Sequence, residues 1–340
     1  MRNRFTAPCA EIEPKFLLRA ALRAALNKNF VPHALAKRYM ISSFSMLLCL
    51  LLSSCATTLP GTDQATPSTP VENTQQNANP DGERTTVANR VITLSSLTTD
   101  ILYELDRTKL VGMGGSSLFR QDTRFQTLPK VSEGRTPPNL EQIVALQPDL
   151  VIGAGGFHDQ TLQKLREVGI PTLSTEVDNR QSLEELTKTL AQAIGADPEP
   201  LLTRYREWSA QLPAQSPSTL VLVSNQPILA PNKQSWAGDL LAQFNAPNVV
   251  ADLQSQGQFQ GYVTLSPEKV LEANPEVLIL VNAPGANLRQ QLETQPFWKD
   301  LNAVKNDRVY TMDYFGLVNA GSLTKIEQAY TELKQILTKQ

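Results

Sequence analysis

The sequence predicts an α/β protein built as two similar lobes with mostly parallel sheets, and two observations carry that expectation. From Val91 onward, short apolar runs alternate with amphipathic segments, the order expected of strands joined by crossover helices. A helix-stop-strand unit then recurs 127 residues apart. Asn139-Leu140-Glu141-Gln142-Ile143-Val144 followed by Pro148-Asp149-Leu150-Val151-Ile152 is echoed by Ser266-Pro267-Glu268-Lys269-Val270-Leu271 followed by Pro275-Glu276-Val277-Leu278-Ile279. In each copy Asn139 or Ser266 suits a helix N-cap, Pro267 suits the first helical position, and Pro148 or Pro275 stops the helix before a buried strand.

The chain opens with a segment of different character. Residues 1–54 hold eight Lys/Arg and two acidic residues, and Phe44–Leu52 is a short apolar run preceded by Lys37 and Arg38. This reads as a secretory signal, too short for a span that needs roughly 20 apolar residues. Leu52-Ser53-Ser54-Cys55 resembles the bacterial lipobox, so Cys55 is expected to carry the lipid; an ordinary cleavable signal beside a chance cysteine is the other reading. The first 39 residues are long for a signal, which points to a mis-assigned start upstream of Lys37. Residues 55–88 continue as a Thr-, Pro-, Gln- and Asn-rich tether that cannot bury enough apolar surface to offset its ordering entropy.

The strands expected next are Val91–Leu94, Leu110–Met113, Leu150–Ile152 and Thr172–Ser174. A helical stretch from about Leu183 to Gln211, broken near Gly195, leads to a second set whose clearest members are Leu220–Val223 and Val277–Val281. The division is therefore 1–54 signal, 55–88 lipidated cysteine and linker, 89–187 first lobe, 188–217 connection and 218–340 second lobe.

Composition excludes several functions. After residue 54 the chain carries 31 acidic and 23 basic side chains, a net of −8, so it has no electrostatic basis for binding nucleic acid. Cys9 and Cys49 lie in the signal and Cys55 would be lipidated, leaving no thiol for a disulfide, a thiolate metal site or a nucleophile. His158 is the only later histidine, and no His/Asp/Glu cluster supplies a first shell for a bare metal ion. Neither a nucleophile-elbow pentapeptide nor a nucleophile–base pair is recognisable, so the chain is not expected to be an enzyme and needs no cofactor. One competing enzyme reading exists. Leu150-Val151-Ile152-Gly153-Ala154-Gly155-Gly156, with Glu176 further on, resembles the opening of a dinucleotide-binding oxidoreductase. Against it, His158 occupies the third glycine position and the strand is not the first of its unit.

From Val91 to the C-terminus the sequence resembles the class III solute-binding proteins of siderophore, cobalamin and haem importers. The resemblance rests on Val91-Ile92-Thr93-Leu94-Ser95-Ser96 with Asp100-Ile101-Leu102-Tyr103-Glu104-Leu105, and on Pro138-Asn139-Leu140-Glu141 with Gln147-Pro148-Asp149. Ser266-Pro267-Glu268 with Asn274-Pro275-Glu276, and Ala303 through Tyr310, complete it. It implies two Rossmann-like lobes joined by a single long helix, for which Asp197–Gln211 is the candidate, with ligand in the cleft and little hinge closure. It further implies a monomeric periplasmic or otherwise extracytoplasmic receptor, held at a membrane by its lipid, whose partner is an ABC permease. One glutamate per lobe would dock on that permease, and Glu141 and Glu268 match the positions. A carboxylate in the first helical turn also suits the helix dipole, which is the plainer role.

Ligand in such a sheet meets the loops beyond the strands' carboxyl ends. There the candidates are Ser96, Arg135, Phe157, Trp236, Tyr262, Tyr314 and Phe315, a mixture of aromatic walls and polar donors that suits a chelate or macrocycle. Arg135 is similar to an arginine that donates to hydroxamate oxygens, although Gly156-Phe157 stands where those proteins place a tyrosine; it also reads as a solvated loop charge. A ferric siderophore is the expected ligand, with cobalamin or haem the alternative. Any metal would arrive inside its organic chelator.

Overall fold

The computed structural model describes residues 87–134, 136–255, 260–282 and 287–339, so Cys55, the linker and Arg135 lie outside the described residues. Its first four strands, β1 (Val91–Thr93), β2 (Leu110–Met113), β3 (Leu150–Ala154) and β4 (Thr172–Thr175), form a parallel sheet in the order β2-β1-β3-β4. The later strands are β5 (Thr219–Leu222), β6 (Ser224–Asn225), β7 (Ile228–Pro231), β8 (Tyr262–Leu265), β9 (Val277–Asn282) and β10 (Val309–Asp313). Of these, β10-β9-β5 is parallel and β6-β7-β8 is a small antiparallel sheet. The six sequence-read strands fall within one or two residues of β1–β5 and β9.

The repeat is present in the backbone as well as in the residues. Asn139 accepts from Gln142 N at 3.1 Å to cap the helix Leu140–Ala145, and Ser266 accepts from Lys269 N at 3.3 Å to cap the helix Pro267–Ala273. Both units then reverse through a left-handed residue directly before the proline, Gln147 at φ 47° and Asn274 at φ 36°. A following proline disfavours the right-handed helical region for that residue, so the stop is encoded twice. The next acid ties its strand to a neighbour. Asp149 accepts from the backbone N–H groups of Asn89 and Arg90 at 2.7 and 2.9 Å, while Glu276 accepts from Ser218 N and Oγ, both at 2.8 Å. In each sheet the carboxylate that opens β3 or β9 thus anchors the entry of β1 or β5.

Side-chain alternation along β1, β3, β5 and β9 distributes their residues over three of the four apolar clusters among the described residues. Val91, Ile152, Val221, Val277, Ile279 and Val281 face a shared central core, whereas Ile92 and Val151 face one outer core and Leu220, Leu222, Leu278 and Leu280 another. The central core is filled by the helices Ser96–Asp106, Arg180–Ile194, Glu199–Trp208, Trp236–Gln243 and Leu323–Thr338. Helix Arg180–Ile194 buries Leu183, Leu186, Leu190 and Ile194 along one stripe, and starts from a capping box between Asn179 and Ser182. Gly195, at φ 71°, ends it in the left-handed conformation that glycine adopts without strain.

The helix that enters the second set of strands is Glu199–Trp208, ten residues inside the Asp197–Gln211 candidate, and Gly195 and Pro198 separate it from Arg180–Ile194. Thr187 and Tyr205 hold the two pieces together through their hydroxyls at 3.0 Å inside the central core.

A polar strut also crosses this core. Asp100, 1% exposed on helix Ser96–Asp106, accepts at Oδ2 from Leu323 N at 2.8 Å, 223 residues away. Its Oδ1 lies 3.0 Å from the Arg124 guanidinium, which also reaches Asp122 and Glu104 and stacks over Tyr103 and Phe125. Burial pushes the Asp100 carboxyl above its usual range despite Arg124, while hydrogen bonding to Asp122 raises Arg124 further.

Candidate functional site

The order β2-β1-β3-β4 changes direction between β1 and β3, because β1 leads one way to β2 and β3 the other way to β4. At such a switch point the loops leave the sheet on opposite faces and open a crevice outside the carboxyl ends. Its walls are Ser95-Ser96 after β1 and Gly155-Gly156-Phe157 after β3. Ser95 is the helix cap, its Oγ accepting from Thr98 N at 3.3 Å, which leaves the half-buried Ser96 hydroxyl outside the capping bonds. Phe157 is 73% exposed at the tip of its turn, an apolar ring held toward solvent by backbone bonds from residues 157 and 158 to Ala154 O.

His158 is structural. Its Nδ1 accepts from Ala154 N at 3.0 Å, and burial holds its pKa below the usual range, so the ring is neutral and its lone pair is spent. The dinucleotide reading loses support as well, since β3 is an inner strand of its sheet and not the first of the unit. Among the described residues no group of three or more His, Cys, Asp or Glu side chains gathers to hold a metal ion.

The later strands contribute Tyr262, at the start of β8 in the small antiparallel sheet, and Tyr314-Phe315, directly after β10 of the parallel one. All three are half-buried, and the rings of Tyr314 and Phe315 meet edge to face with centroids 5.3 Å apart. Burial, and secondarily the neighbouring Tyr314, pushes the Tyr262 phenol up; burial does the same at Tyr314. Both are neutral O–H donors at physiological pH. Their loop is tightly fixed: Asp313 accepts from Phe315 N at 3.1 Å and pairs with Lys325 at 2.7 Å, and Gly316 N donates to Asn319 O at 2.7 Å.

Trp236 corrects the sequence reading. It is 3% exposed within the central core and donates its indole N–H to Gly316 O at 2.8 Å. Being first in its helix, it looked like a loop residue; the structure makes it the support on which the Tyr314-Phe315 loop rests. Phe315 comes close to the loop after β2 at Gly321, where a Cβ would lie 2.6 Å from the Phe315 ring and 2.9 Å from the Leu118 side chain. Leu118, from the loop after β2, is a site neighbour that the sequence did not single out, because nothing distinguishes a lone leucine in a polar loop.

Glu141 and Glu268 are both exposed in the first turns of their helices, and among the described residues neither forms an ion pair. Glu268 is held below the usual range by its own backbone N–H and the Ser266 hydroxyl. Each glutamate thus occupies the first turn of the helix that leads into the strand opening with Leu150 or Val277, the same place in both copies of the repeat.

Residues 91–314 match the family of periplasmic binding proteins. The chain is 24% identical over 246 residues to the uncharacterized ABC transporter substrate-binding lipoprotein YvrC of Bacillus subtilis, covering 66% of this chain and 72% of that one. It is 27% identical over 225 residues to the vitamin B12-binding protein of Salmonella typhimurium, covering 63% and 79% respectively. The periplasmic heme-binding protein HutB of Vibrio cholerae has the same fold, with a TM-score of 0.61 at 19% identity, covering 74% of this chain and all of that one. With that match over residues 91–314, the chain belongs to the periplasmic binding protein family, as a non-catalytic class III solute-binding protein of ABC importers.

Proposed function

We propose that this chain is a lipid-anchored receptor that captures a ferric siderophore-type chelate between lobes 89–187 and 218–340, joined through 188–217, and delivers it to an ABC permease. The reading is supported by a fixed aromatic and phenolic loop after β10 and by a carboxylate, without an ion pair among the described residues, in the first helical turn of each copy of the repeat. Ser96, Phe157, Tyr262, Tyr314 and Phe315 supply ligand contacts, and Arg135 supplies a guanidinium fork suited to paired chelate oxygens. Neutral phenols beside aromatic faces grip an organic chelate through hydrogen bonds and stacking, with the metal kept inside it.

Cobalamin or haem is the second reading, supported by the names of the relatives above. An iron chelate has its own support in the Fe(3+)-citrate-binding protein YfmC of Bacillus subtilis, 26% identical over 190 residues. Quenching of the intrinsic tryptophan fluorescence by ferric hydroxamates, ferric citrate, cobalamin and haem separates these ligands. Saturable binding of a ferric hydroxamate is expected; tight cobalamin binding with no response to any iron chelate overturns the preferred ligand.

Acylated Cys55 would hold the receptor at the outer face of a membrane, the tether giving Glu141 and Glu268 the reach to dock. A Cys55→Ser chain recovered in the membrane fraction would remove the anchor, and uptake sustained by the Glu141→Arg/Glu268→Arg pair would remove the docking role.

A further inference from the structure

The repeat that carries Glu141 and Glu268 also carries an apolar residue one turn further on. Val144 and Leu271 are again 127 positions apart, and both are exposed, at 48% and 37%. Their neighbours Ile143 and Val270, equally equivalent, are fully buried in the two outer cores. The outward aliphatics are thus no spill-over from the core-facing stripe. Residues three apart share a helix face, so each lobe presents a carboxylate and an aliphatic side by side. In the first lobe the pair borders a groove of about 400 Å³ lined by Leu140, Glu141, Val144, Ala145, Lys164, Leu165 and Val168. Val168 adds a further aliphatic at 65% exposure.

We propose that Val144 and Leu271 form the apolar half of the permease-docking surface, and that the groove beside Val144 receives a large apolar side chain from the permease. The proposal rests on the docking role of Glu141 and Glu268. Charge complementarity and continuity define the occupant: a permease loop at each lobe, with a cationic side chain for the glutamate and an apolar one beside it. The carboxylates would draw the partners together over a distance set by ionic strength, and the aliphatic pair would hold them after contact at any salt concentration.

The test uses the full lipidated chain and the ABC permease through which it supports uptake, reconstituted in nanodiscs, with affinity measured at low and high salt. Val144→Ser/Leu271→Ser is expected to weaken binding about tenfold at both salt concentrations. Glu141→Gln/Glu268→Gln should weaken it at low salt and converge on the wild type at high salt, where the Debye length shrinks toward about 3 Å. Unchanged affinity for the serine pair beside an impaired glutamine pair overturns the apolar half alone; an unimpaired glutamine pair overturns the docking role beneath it. A wild-type dimer in sedimentation that the serine pair dissolves would assign the patch to a second copy of this chain and also overturn the proposal. Unaltered melting and ligand quenching verify the fold of each variant, and Val144→Ala/Leu271→Ala replaces the serine pair if it fails that check.

Discussion

Replacing Asp100 by alanine removes the strut between the helices Ser96–Asp106 and Leu323–Thr338. The Leu323 N–H, 2.8 Å from Oδ2 and in a residue only 1% exposed, loses its acceptor. A buried hydrogen bond to a charged acceptor is worth about 1.5–3 kcal/mol. Two effects reduce the net loss. The carboxylate's own burial, which raises its pKa, disappears with it, and Arg124, 29% exposed, keeps Asp122 at 2.8 Å and Glu104 at 2.9 Å. The expected loss is about 2 kcal/mol, a fall in Tm of about 4 °C for a domain of this size. Asp100→Asn keeps an acceptor oxygen and should lose about half as much. The pH dependence follows from the sign of the shift. Native Asp100 binds its proton more tightly than the unfolded chain, so its share of stability is greatest below the ordinary value of 3.8 and declines as pH rises from there through the raised native pKa. The asparagine variant should lack that decline. Urea unfolding across this window and calorimetric melting at neutral pH measure both effects; an alanine variant that melts within about 1 °C of wild type, or above the asparagine variant, refutes the strut.

Trp236→Phe should cost about 1–2 kcal/mol by leaving Gly316 O without its donor, and should weaken ligand binding several-fold by loosening the Tyr314-Phe315 loop; denaturant unfolding and calorimetric titration read the two effects separately. In Gly238→Ala the new Cβ would sit 1.9 Å from Asn232 O, a backbone atom that cannot step aside cheaply, so a loss of several kcal/mol and a large drop in Tm are expected in thermal melts. The Tyr262 phenol, raised by burial, favours the folded state below the ordinary value of 10.0 and withdraws that stability as pH climbs through its native pKa. Tyr262→Phe should therefore flatten the alkaline limb of stability and remove one of the late phenolate absorbance changes.

Much of this architecture is legible in the sequence because its signals are local. Caps at Asn139 and Ser266, stops before Pro148 and Pro275, and apolar runs such as Val277–Val281 each depend on a few adjacent residues. The antiparallel strands β6–β8 were not legible, since Ser224–Asn225 and Ile228–Pro231 are too short for their alternation to register. Trp236 was misplaced because a residue's position at a helix start does not say which way its ring turns; that is fixed by Gly316, 80 residues away. The Asp100 strut was readable only as an oddity, an acid among Leu97, Ile101 and Leu102 on a core-facing stripe. Its partner Leu323 is a backbone donor, which sequence cannot mark.

The shared central core constrains how such a receptor works. Residues of β1, β3, β5 and β9 alternate between one common core and two outer ones, so a hinge motion would have to shear helices packed against both sheets and break the Asp100–Leu323 bond. A crevice that cannot close widely must be largely pre-formed, and affinity then comes from fixed donors and rings rather than from enclosure. The spacing of Glu141 and Glu268 would likewise be nearly the same with and without ligand, so a permease would distinguish the loaded receptor chiefly by the ligand surface left in the crevice mouth. The absence of cysteine after Cys55 makes this measurable, because Val144→Cys/Leu271→Cys can carry spin labels without competing thiols in the folded part. Pulsed electron resonance distances should shift by less than about 2 Å on adding saturating ligand. A larger shift would mean that the central core yields, and that closure rather than pre-formed shape reports the cargo.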